Sequence, residues 1–516
     1  MKNVSSFVLK AALFATGLSG VVAEYVLSTL ASYFIGDSTV QWALIISTML
    51  FSMGFGSRLS KYFEENLLEK FIIIELLLTI FVSICSLLAF TAAAYTMYVG
   101  LIIYAMSILI GLLIGMEIPL VIRLNDEFEV LKVNVSSILE KDYYGSLLGG
   151  VFFAFVGLPY LGLTYTPFVL AAINFSVTVA MVGLVWKSVV PRVRLRYGGM
   201  LGAVAAFLLA GVLLAQPIVL YGEQRRYKDK IIFSAQSKYQ KVVITQWQDD
   251  YWLFINGNQQ LSTLDEAMYH EPLVHPAMKL QQQAKRVLVL GGGDGCAVRE
   301  ILKYSSVEEV KLVDLDPLMT DLGMNHPVLK ELNQGALLNP KVEIINADGF
   351  IFLQQDSAYY DVIILDFPDP NNAELARLYS EEFYRMVHRR LKKNGVMVTQ
   401  AGSPYFATRA FRCIDLTVQA AGFSTVPLHN QVVTLGEWGW ILGMKEEVAS
   451  RERIKKSLVN LEFKDVETRW INHEAMSLIT SFGKDIYSIG TDSVRVNKVN
   501  DPVLYRYYLN GNWDLY

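Results

Sequence analysis

The 516 residues are enough for more than one domain, and 45 basic against 49 acidic side chains give a net charge of −4. Hydrophobic residues make up 53% of the chain and charged residues 18%, which excludes a wholly disordered protein and a nucleic-acid binder. The mean hydropathy of +0.34 is too high for an ordinary soluble protein. The three cysteines, Cys85, Cys296 and Cys413, are too few for a disulfide scaffold or a structural zinc site.

Long apolar runs fill the first 221 residues, whereas the rest of the chain has the composition of a globular domain. A helix that crosses a bilayer needs about 20 mostly apolar residues. Seven runs meet that length, at about 10–33, 40–57, 71–94, 98–121, 144–164, 166–186 and 199–220. Such runs in succession leave no amphipathic face for water, so we predict an α-helical membrane bundle over residues 1–221.

Basic residues in the short loops between these runs indicate the orientation of the bundle. They fall at the N-terminus and in alternate loops: Lys2, Lys10; Arg58, Lys61, Lys70; Arg123, Lys132, Lys141; Lys187, Arg192, Arg194, Arg196. The other loops carry one charge, Asp37. This pattern places the N-terminus in the cytoplasm, and seven complete crossings would place the second half of the chain outside.

Acids also fall within the apolar runs, namely Glu24, Glu75 and, near a helix end, Glu117. A carboxylate in lipid is costly and often functional, although an acid at the interface or paired between helices is an equally open interpretation. Small residues allow helices to approach closely. Close helix packing is therefore predicted in the fifth run at Gly145, Gly149 and Gly150.

The second half of the chain reads as α/β. Residues 241–261 alternate short apolar runs with turn signals, which predicts a small antiparallel sheet. Residues 264–278 predict a helix with Asp265 and Glu266 in its first turn. From Arg286 onwards five buried strands alternate with loops and helices, so we predict a doubly wound, mostly parallel, Rossmann-like sheet.

A glycine loop follows the first of these strands and includes Gly291, Gly293 and Asp294, while the second strand ends in Asp314, 21 residues after Gly293. Glycines let a ligand approach the backbone, and an acid at the next strand end accepts hydrogen bonds from ribose hydroxyls, so the pair is typical of a nucleoside site. Asp294 would repel a pyrophosphate or the carboxylate of intact S-adenosylmethionine. It would attract an ammonium group.

Acids accumulate at the carboxyl ends of the predicted strands, which meet at one edge of the sheet. They are Asp294, Asp314, Asp316, Asp348, Asp366 and Asp369. Six carboxylates around one cleft suit a polycationic substrate. Two other interpretations stay open, since Asp316 is typical of a helix cap, and acids in such number are also found at divalent metal sites.

Eight segments together resemble the spermidine synthases: Tyr239-Gln240, DEAMYHEPLVHPAM, GGGDGCAVREILKY, VDLDP, ADGFIFL, YDVIILDFPDP, LYSEEFYRMVHRRLKKNGVMVTQAGSP and GEWGWILG. They cover roughly residues 235–445 in order, and the apolar runs in front resemble the membrane-anchored bacterial members of that family. The resemblance implies an aminopropyltransferase with a methyltransferase-like sheet. It also implies decarboxylated S-adenosylmethionine as co-substrate, with no metal and no permanently bound cofactor.

The resemblance implies a donor site and an acceptor site. The donor-site residues are Gln240, Gly291, Gly293, Asp294, Asp314, Asp348 and Gly349, of which Gln240 contacts the nucleoside, Asp294 the aminopropyl ammonium, Asp314 the ribose and Asp348-Gly349 the adenine. The acceptor-site residues are Tyr269, His270, Asp294, Asp366 and Asp369. Among these Asp366 is the catalytic base and Asp369 binds the acceptor amine, with Gln400 as an additional polar contact.

The sequence departs from the family pattern at three places, of which the second bears on a nucleoside contact and the others on the acceptor. Two small polar residues are replaced by Phe367 and Pro368, and a Gly-Pro pair by Asn372-Ala373. An acceptor-binding tyrosine is replaced by Val433. The donor site is therefore better defined than the identity of the amine.

We thus predict transfer of the aminopropyl group to a polyamine acceptor, putrescine by default, giving spermidine and methylthioadenosine. The alternatives are an S-adenosylmethionine-dependent methyltransferase, which Asp294 disfavours, and a polyamine transporter or sensor whose globular half only binds. The expected partners are the two small-molecule substrates, the lipid bilayer and a second copy of the chain, with no nucleic acid.

The expected domains are a transmembrane domain (1–221), a small β-rich domain with a connecting helix (222–285), the catalytic domain (286–450) and an extension packed on it (451–516). The donor nucleoside is made in the cytoplasm, so the catalytic domain is expected on the cytoplasmic face of the cell (inner) membrane. The count of seven crossings opposes that expectation.

Overall fold

The structure is a computed structural model that describes residues 6–36, 38–126, 128, 130–186, 189–483 and 494–513. Lys2, Asp37 and Lys187, which enter the orientation argument, lie outside these residues. The chain divides into two compact units, Met1–Lys230 and Ile231–Tyr516. We call them the helical unit and the α/β unit and describe each by itself.

The helical unit consists of long apolar helices. They are α1 (Ser6–Ile35), α2 (Ser38–Ser60), α3 (Leu67–Tyr95), α4 (Val99–Asn125), α5 (Leu131–Phe152), α6 (Gly162–Val185) and α7 (Pro191–Gln224). Among the described residues six helices are long and apolar enough to cross a membrane, because α5 and α6 belong to one helical segment of 55 residues, Leu131–Val185.

This segment contains the predicted fifth and sixth runs. A π-helical stretch, Phe153–Leu161, joins α5 directly to α6, so the predicted fifth and sixth runs have no loop between them. A straight helix of this length would extend about 80 Å, more than twice the thickness of a bilayer core. The segment departs from helical geometry at Gly162, where φ is +62° and ψ is −174°.

Glycines bring α5 against α1. A Cβ on Gly145 would lie 2.1 Å from the carbonyl oxygen of Phe14, and one on Gly149 would lie 2.5 Å from that of Leu18. No side chain fits at either position, so the predicted close packing is confirmed there. Gly150 instead has room, because its nearest neighbour is the ring of Tyr25 at 3.7 Å.

The predicted acids differ in their surroundings. Glu75 on α3 and Glu117 on α4 are fully buried, whereas Glu24 is half-buried. Thr16 donates a hydrogen bond to Glu117, while both carboxylate oxygens of Glu75 lack a hydrogen-bond partner among the described residues. Carboxyl groups in such surroundings are held neutral by a proton or matched by a cation.

The α/β unit begins with a four-stranded antiparallel sheet in the order β1 (Lys230–Gln236), β2 (Lys241–Trp247), β3 (Asp250–Ile255) and β4 (Asn258–Ser262). Its buried residues, such as Val242, Ile244 and Leu253, form a core with Met319 and Leu322. The small sheet predicted over 241–261 is present, with one strand more than the turn signals indicated.

A seven-stranded sheet follows, with the strand order β10-β11-β9-β8-β5-β6-β7. The strands are β5 (Arg286–Gly291), β6 (Glu309–Asp314), β7 (Val342–Asn346), β8 (Tyr360–Asp366), β9 (Leu391–Gly402), β10 (Phe423–Val432) and β11 (Gly436–Lys445). β5 to β9 pair in parallel, while β10 and β11 form an antiparallel edge. The predicted parallel sheet is therefore part of a mixed sheet.

Helices cover both faces of this sheet. They are α8 (Ala267–Leu280), α9 (Cys296–Leu302), α10 (Pro317–Asn325), α11 (Pro327–Leu332), α12 (Gly349–Gln355), α13 (Ala373–Ala376), α14 (Glu381–Arg390), α15 (Thr408–Ala420), α16 (Arg451–Val459), α17 (His473–Ile479) and α18 (Leu504–Leu509). In β5, Val287 and Val289 enter one core while Leu288 and Leu290 enter the other. Burial on both faces is why these strands read as continuous apolar runs.

The helix predicted over 264–278 begins later than expected. Glu266 is the residue that precedes α8, and Asp265 accepts hydrogen bonds from the backbone and side chain of Thr434. Both acids therefore serve tertiary contacts rather than the first turn of the helix, which the local sequence could not indicate.

Candidate active site

The carboxyl ends of β5 and β8 define the centre of the site. Gly291 stands in register with Asp366, and the backbone N–H of Gly292 donates to the Asp366 carbonyl oxygen at 3.1 Å. Gly291 has a φ of +80°, and a Cβ there would lie 2.1 Å from that same oxygen. Only glycine permits this approach, so the loop holds Asp366 beside the predicted nucleoside site.

The glycine loop is fastened to the end of β6. Asp314 accepts hydrogen bonds from the backbone N–H of Gly293 at 3.1 Å and of Asp316 at 2.9 Å, one on each carboxylate oxygen. Burial raises the pKa of Asp314 to about 6. Each oxygen keeps a further lone pair, which a ribose hydroxyl can use. Asp316 caps α10 by accepting from the backbone N–H of Leu318, which is the helix-cap role that its position in the sequence suggested.

Helix α8 places two side chains over Asp366. The Tyr269 hydroxyl donates to Asp366 Oδ1 at 2.7 Å. His270 Nδ1 contacts the carbonyl and carboxylate oxygens of Glu266 at 3.0 and 2.9 Å, and His270 Nε2 lies 3.9 Å from Asp294 Oδ1. The two α8 residues predicted from the sequence thus meet the two loop acids.

The protonation of these groups follows from their burial. Burial raises the pKa of Asp366 to about 6, and the Asp294 charge adds to the effect, whereas His270 and the Tyr269 hydrogen bond act against it. Burial lowers the pKa of His270, which favours the neutral ring. With its Nδ1 proton donated to Glu266, neutral His270 presents an Nε2 lone pair towards the acids.

These groups form a small cluster of acceptor atoms. Ligand atoms of His270, Asp294 and Asp366 all lie within 4.8 Å of one another, a spacing compatible with a metal ion. The same set of one imidazole nitrogen and two carboxylates also suits an ammonium group, which donates three hydrogen bonds. The geometry alone fits either kind of cation.

Asp369 lies at the start of the loop after β8 and is held by two neutral donors. Gln400 Nε2 donates to Asp369 Oδ1 at 3.0 Å, and the Tyr508 hydroxyl donates to Oδ2 at 2.7 Å. Burial raises the pKa of Asp369. The sequence analysis expected Gln400 as an additional polar contact in the acceptor site, and neither hydrogen bond to Asp369 was predicted.

Gln240 and the Asp348-Gly349 pair have less direct positions. Gln240 lies in the turn before β2. The Ser237 hydroxyl contacts two acceptors there, the backbone carbonyl oxygen of Gln240 and Asp316 Oδ2. Asp348 caps α12 through the backbone N–H of Phe350 and Ile351 and forms an ion pair with Arg377. Asp348 is therefore already engaged, and an adenine amino group would share it with Arg377.

Phe367 and Pro368, the apolar residues that stand where the family has small polar ones, have structural roles. Phe367 is buried and packs against the rings of Tyr379 and Phe383, while the carbonyl oxygen of Pro368 accepts from the Tyr379 hydroxyl at 3.0 Å. The apolar pair thus anchors the loop to the core. Val433, which replaces the acceptor-binding tyrosine of the family, is 65% exposed.

A buried ionic network behind the site was not predicted from the sequence. Arg299 donates to both carboxylate oxygens of Glu266 at 3.0 and 2.8 Å, and Arg469 forms a further ion pair with Glu266. The backbone N–H groups of residues 469–471 donate to Glu271. No short-range signal marks these pairs, because their members are far apart in sequence.

A glycine loop and strand-end acids on a doubly wound sheet are typical of a nucleoside-binding protein, and the number of acids suits a cationic second ligand. Residues 266–455 match the model of the Spermine/spermidine synthase domain. The chain is 38% identical to a polyamine aminopropyltransferase of Leptospira interrogans over 95% of both chains. It is 37% identical to polyamine aminopropyltransferase 2 of Aquifex aeolicus over 98% of both.

Among solved structures, spermidine synthase from Thermotoga maritima covers 50% of this chain and 87% of its own, with 27% identity and a TM-score of 0.45. A spermidine synthase in complex with the transition-state analogue AdoDATO has a TM-score of 0.46 at the same identity and coverage. The 37–38% identity to the two curated relatives, over 95–98% of their length, is decisive. The chain belongs to the polyamine aminopropyltransferase family.

Proposed function

We propose that this enzyme transfers the aminopropyl group of decarboxylated S-adenosylmethionine to an amine, with Asp366 as the base. The observation that carries the assignment of roles is the convergence of Asp366, Asp294 and His270 Nε2 beside the glycine loop. The cluster offers acceptors to a cation at the place where a nucleoside would end. Family membership supports aminopropyl transfer over the methyltransferase and binding-only alternatives.

The donor extends from β6 towards Asp294. Asp314 accepts hydrogen bonds from the ribose, and Gly291 and Gly293 let the backbone approach the nucleoside. Gln240 contacts the nucleoside from the side of the small sheet, and the Asp348-Gly349 pair faces the adenine. Asp294 binds the terminal ammonium of the aminopropyl chain, which intact S-adenosylmethionine could not place there because of its carboxylate.

The reaction is a displacement at the carbon next to the sulfonium. The free amine of the acceptor attacks that carbon, a C–N bond forms, and the C–S electron pair goes to sulfur, which leaves as methylthioadenosine. Asp366 accepts the proton that the nitrogen loses. Tyr269 fixes the Asp366 carboxylate, and His270 and Asp369 accept hydrogen bonds from the acceptor, so positioning supplies much of the rate.

Putrescine is the default acceptor. Its two nitrogens match two acidic positions, because the attacking amine lies at Asp366, which takes its proton, and the ammonium at the other end binds Asp369. The assignment is tested by following methylthioadenosine release from purified protein with decarboxylated S-adenosylmethionine and a panel of diamines and triamines. Release that requires one amine names the acceptor, whereas methyl transfer from intact S-adenosylmethionine would overturn the proposal.

The Tyr269 hydrogen bond makes the pH dependence testable. Because the base acts deprotonated and burial raises its pKa to about 6, kcat/KM for the amine should fall as the pH drops through about 6. Tyr269→Phe removes a donor that stabilises the charged carboxylate, so the acid limb should move up by about one pH unit. Tyr304→Phe, which removes a part-buried hydroxyl bonded to His275, is the control. An unmoved limb in Tyr269→Phe would contradict the role of Asp366 as the titrating base.

We also propose that the helical unit anchors the enzyme in the cell (inner) membrane with the α/β unit on the cytoplasmic side. Six long apolar helices support the anchoring, and supply of the donor nucleoside supports the cytoplasmic side. A reporter fused to the C-terminus that is active only outside the cytoplasm would refute the orientation. The homodimer expected from the sequence stays a prediction.

A further inference from the structure

The last helix of the chain reaches the acid that we assign to the acceptor amine. Tyr508 on α18 donates to Asp369 Oδ2 across 139 residues of sequence. Its ring packs against Trp513 with the centroids 4.7 Å apart and the planes tilted by 42°, and its edge lies 3.8 Å from the position a Cβ would take on Gly402. Tyr508 lies beyond the residues that match the family domain.

Separate contacts fix α18 at this position. The fully buried side chain of Asn497 donates to the carbonyl oxygens of Ala376 and Tyr379, on the segment that follows the Asp366–Asp369 loop. Its own Oδ1 accepts from the backbone N–H of Leu504, the first residue of α18. The helix is therefore anchored to the segment that continues the loop carrying Asp369, so helix and acid keep their relative position.

The donors to Asp369 leave its charge available. Among the described residues Asp369 has no ion pair, and it is held by an amide and a phenol, both neutral. Asp348 shows the contrast, because Arg377 matches its charge. With one lone pair of each oxygen occupied by Gln400 and Tyr508, the carboxylate is fixed in its plane and keeps further lone pairs for a cation.

We propose that Tyr508 is a positioning residue for the acceptor amine, which orients Asp369 and forms one wall of the acceptor pocket. This inference rests on the proposed function. The C-terminal extension then contributes to the choice of amine, although it carries no group that reacts. Donor binding at the opposite part of the site, along Asp314 and the glycine loop, should not depend on it.

The test is a kinetic comparison of full-length Tyr508→Phe with wild type. The variant keeps the ring that packs on Trp513 and removes only the hydroxyl. The KM for the amine should rise about 10-fold to 100-fold, as for loss of a hydrogen bond to a charged group, with the KM for the donor changed less than twofold. The control is Tyr505→Phe on the same helix. It removes a hydroxyl that accepts a hydrogen bond from Arg506, and it should leave both KM values unchanged.

A double variant separates positioning from a general loss of structure. If Tyr508 acts through Asp369, adding Tyr508→Phe to Asp369→Asn should cost little beyond the single Asp369→Asn change, whereas independent effects would multiply. An unchanged amine KM in Tyr508→Phe, while Asp369→Asn raises it, would overturn this inference alone. Full activity in both Asp369→Asn and Asp366→Asn would instead overturn the proposed function.

Discussion

Replacing Asp366 with Asn is expected to lower kcat by about 10²-fold to 10⁴-fold, the usual range for losing a general base. The amide keeps the size of the side chain and can still accept from Tyr269, which donates to Asp366 at 2.7 Å. It cannot take the proton that the attacking amine must lose. The measurement is the steady-state rate of methylthioadenosine release at saturating amine and donor.

A matched control is Asp356→Asn, which changes an acid that bonds Tyr360 at the opposite end of β8 from Asp366. Its kcat should equal that of the wild type. Binding of methylthioadenosine to Asp366→Asn should also be retained, since the nucleoside contacts are assigned to other residues. A kcat for Asp366→Asn within tenfold of wild type would show that Asp366 only orients the amine.

Removing Glu266 is expected to destabilise the α/β unit by about 3 kcal/mol, the low end of the range for breaking a buried ion pair, because Arg299 keeps its pair with Glu300. The Glu266 side chain is 0% exposed and the Arg299 side chain 5%. In Glu266→Ala the Arg299 guanidinium loses two hydrogen bonds, and His270 Nδ1 keeps only the backbone carbonyl oxygen of residue 266 as an acceptor. Thermal unfolding should show a Tm about 10 °C lower.

The same variant, Glu266→Ala, should also bind the amine more weakly. Without the Glu266 carboxylate, His270 is held with Nε2 towards Asp294 by the backbone carbonyl of residue 266 alone, so the KM for the amine should rise in the protein that remains folded. Glu308→Gln, which breaks an exposed pair with Lys285, should leave the Tm and the KM unchanged. A Glu266→Ala protein that melts at the wild-type temperature would show that the network adds nothing to stability.

The sequence predicted the centre of the site because parallel strands bring their carboxyl ends to one edge. The end of β5, Asp314 and Asp366 follow buried strands, so their proximity follows from strand order alone once the sheet is recognised. Gly291 was equally predictable, since the loop needs a positive φ and room for a neighbouring carbonyl oxygen. Tyr269 and His270 came from the family resemblance rather than from any spacing.

Other features depended on contacts that no local pattern records. A strand-end acid reads the same whether it faces a ligand, as proposed for Asp314, or an arginine, as Asp348 faces Arg377. The fifth and sixth apolar runs read as two helices, although a π-helical stretch joins them without a loop.

By itself the sequence determined the apolar helices, the alternation of strands and helices, and the acids at the strand ends, because these depend on residues close together in the chain. Only the tertiary structure decided which acids keep a free charge and which are paired. Glu266 meets Arg299 and Arg469, and Asp369 meets Tyr508, across 33 to 203 residues. Such pairs form because packing brings distant segments together, and the charge and donors of each partner are visible only once they are in contact.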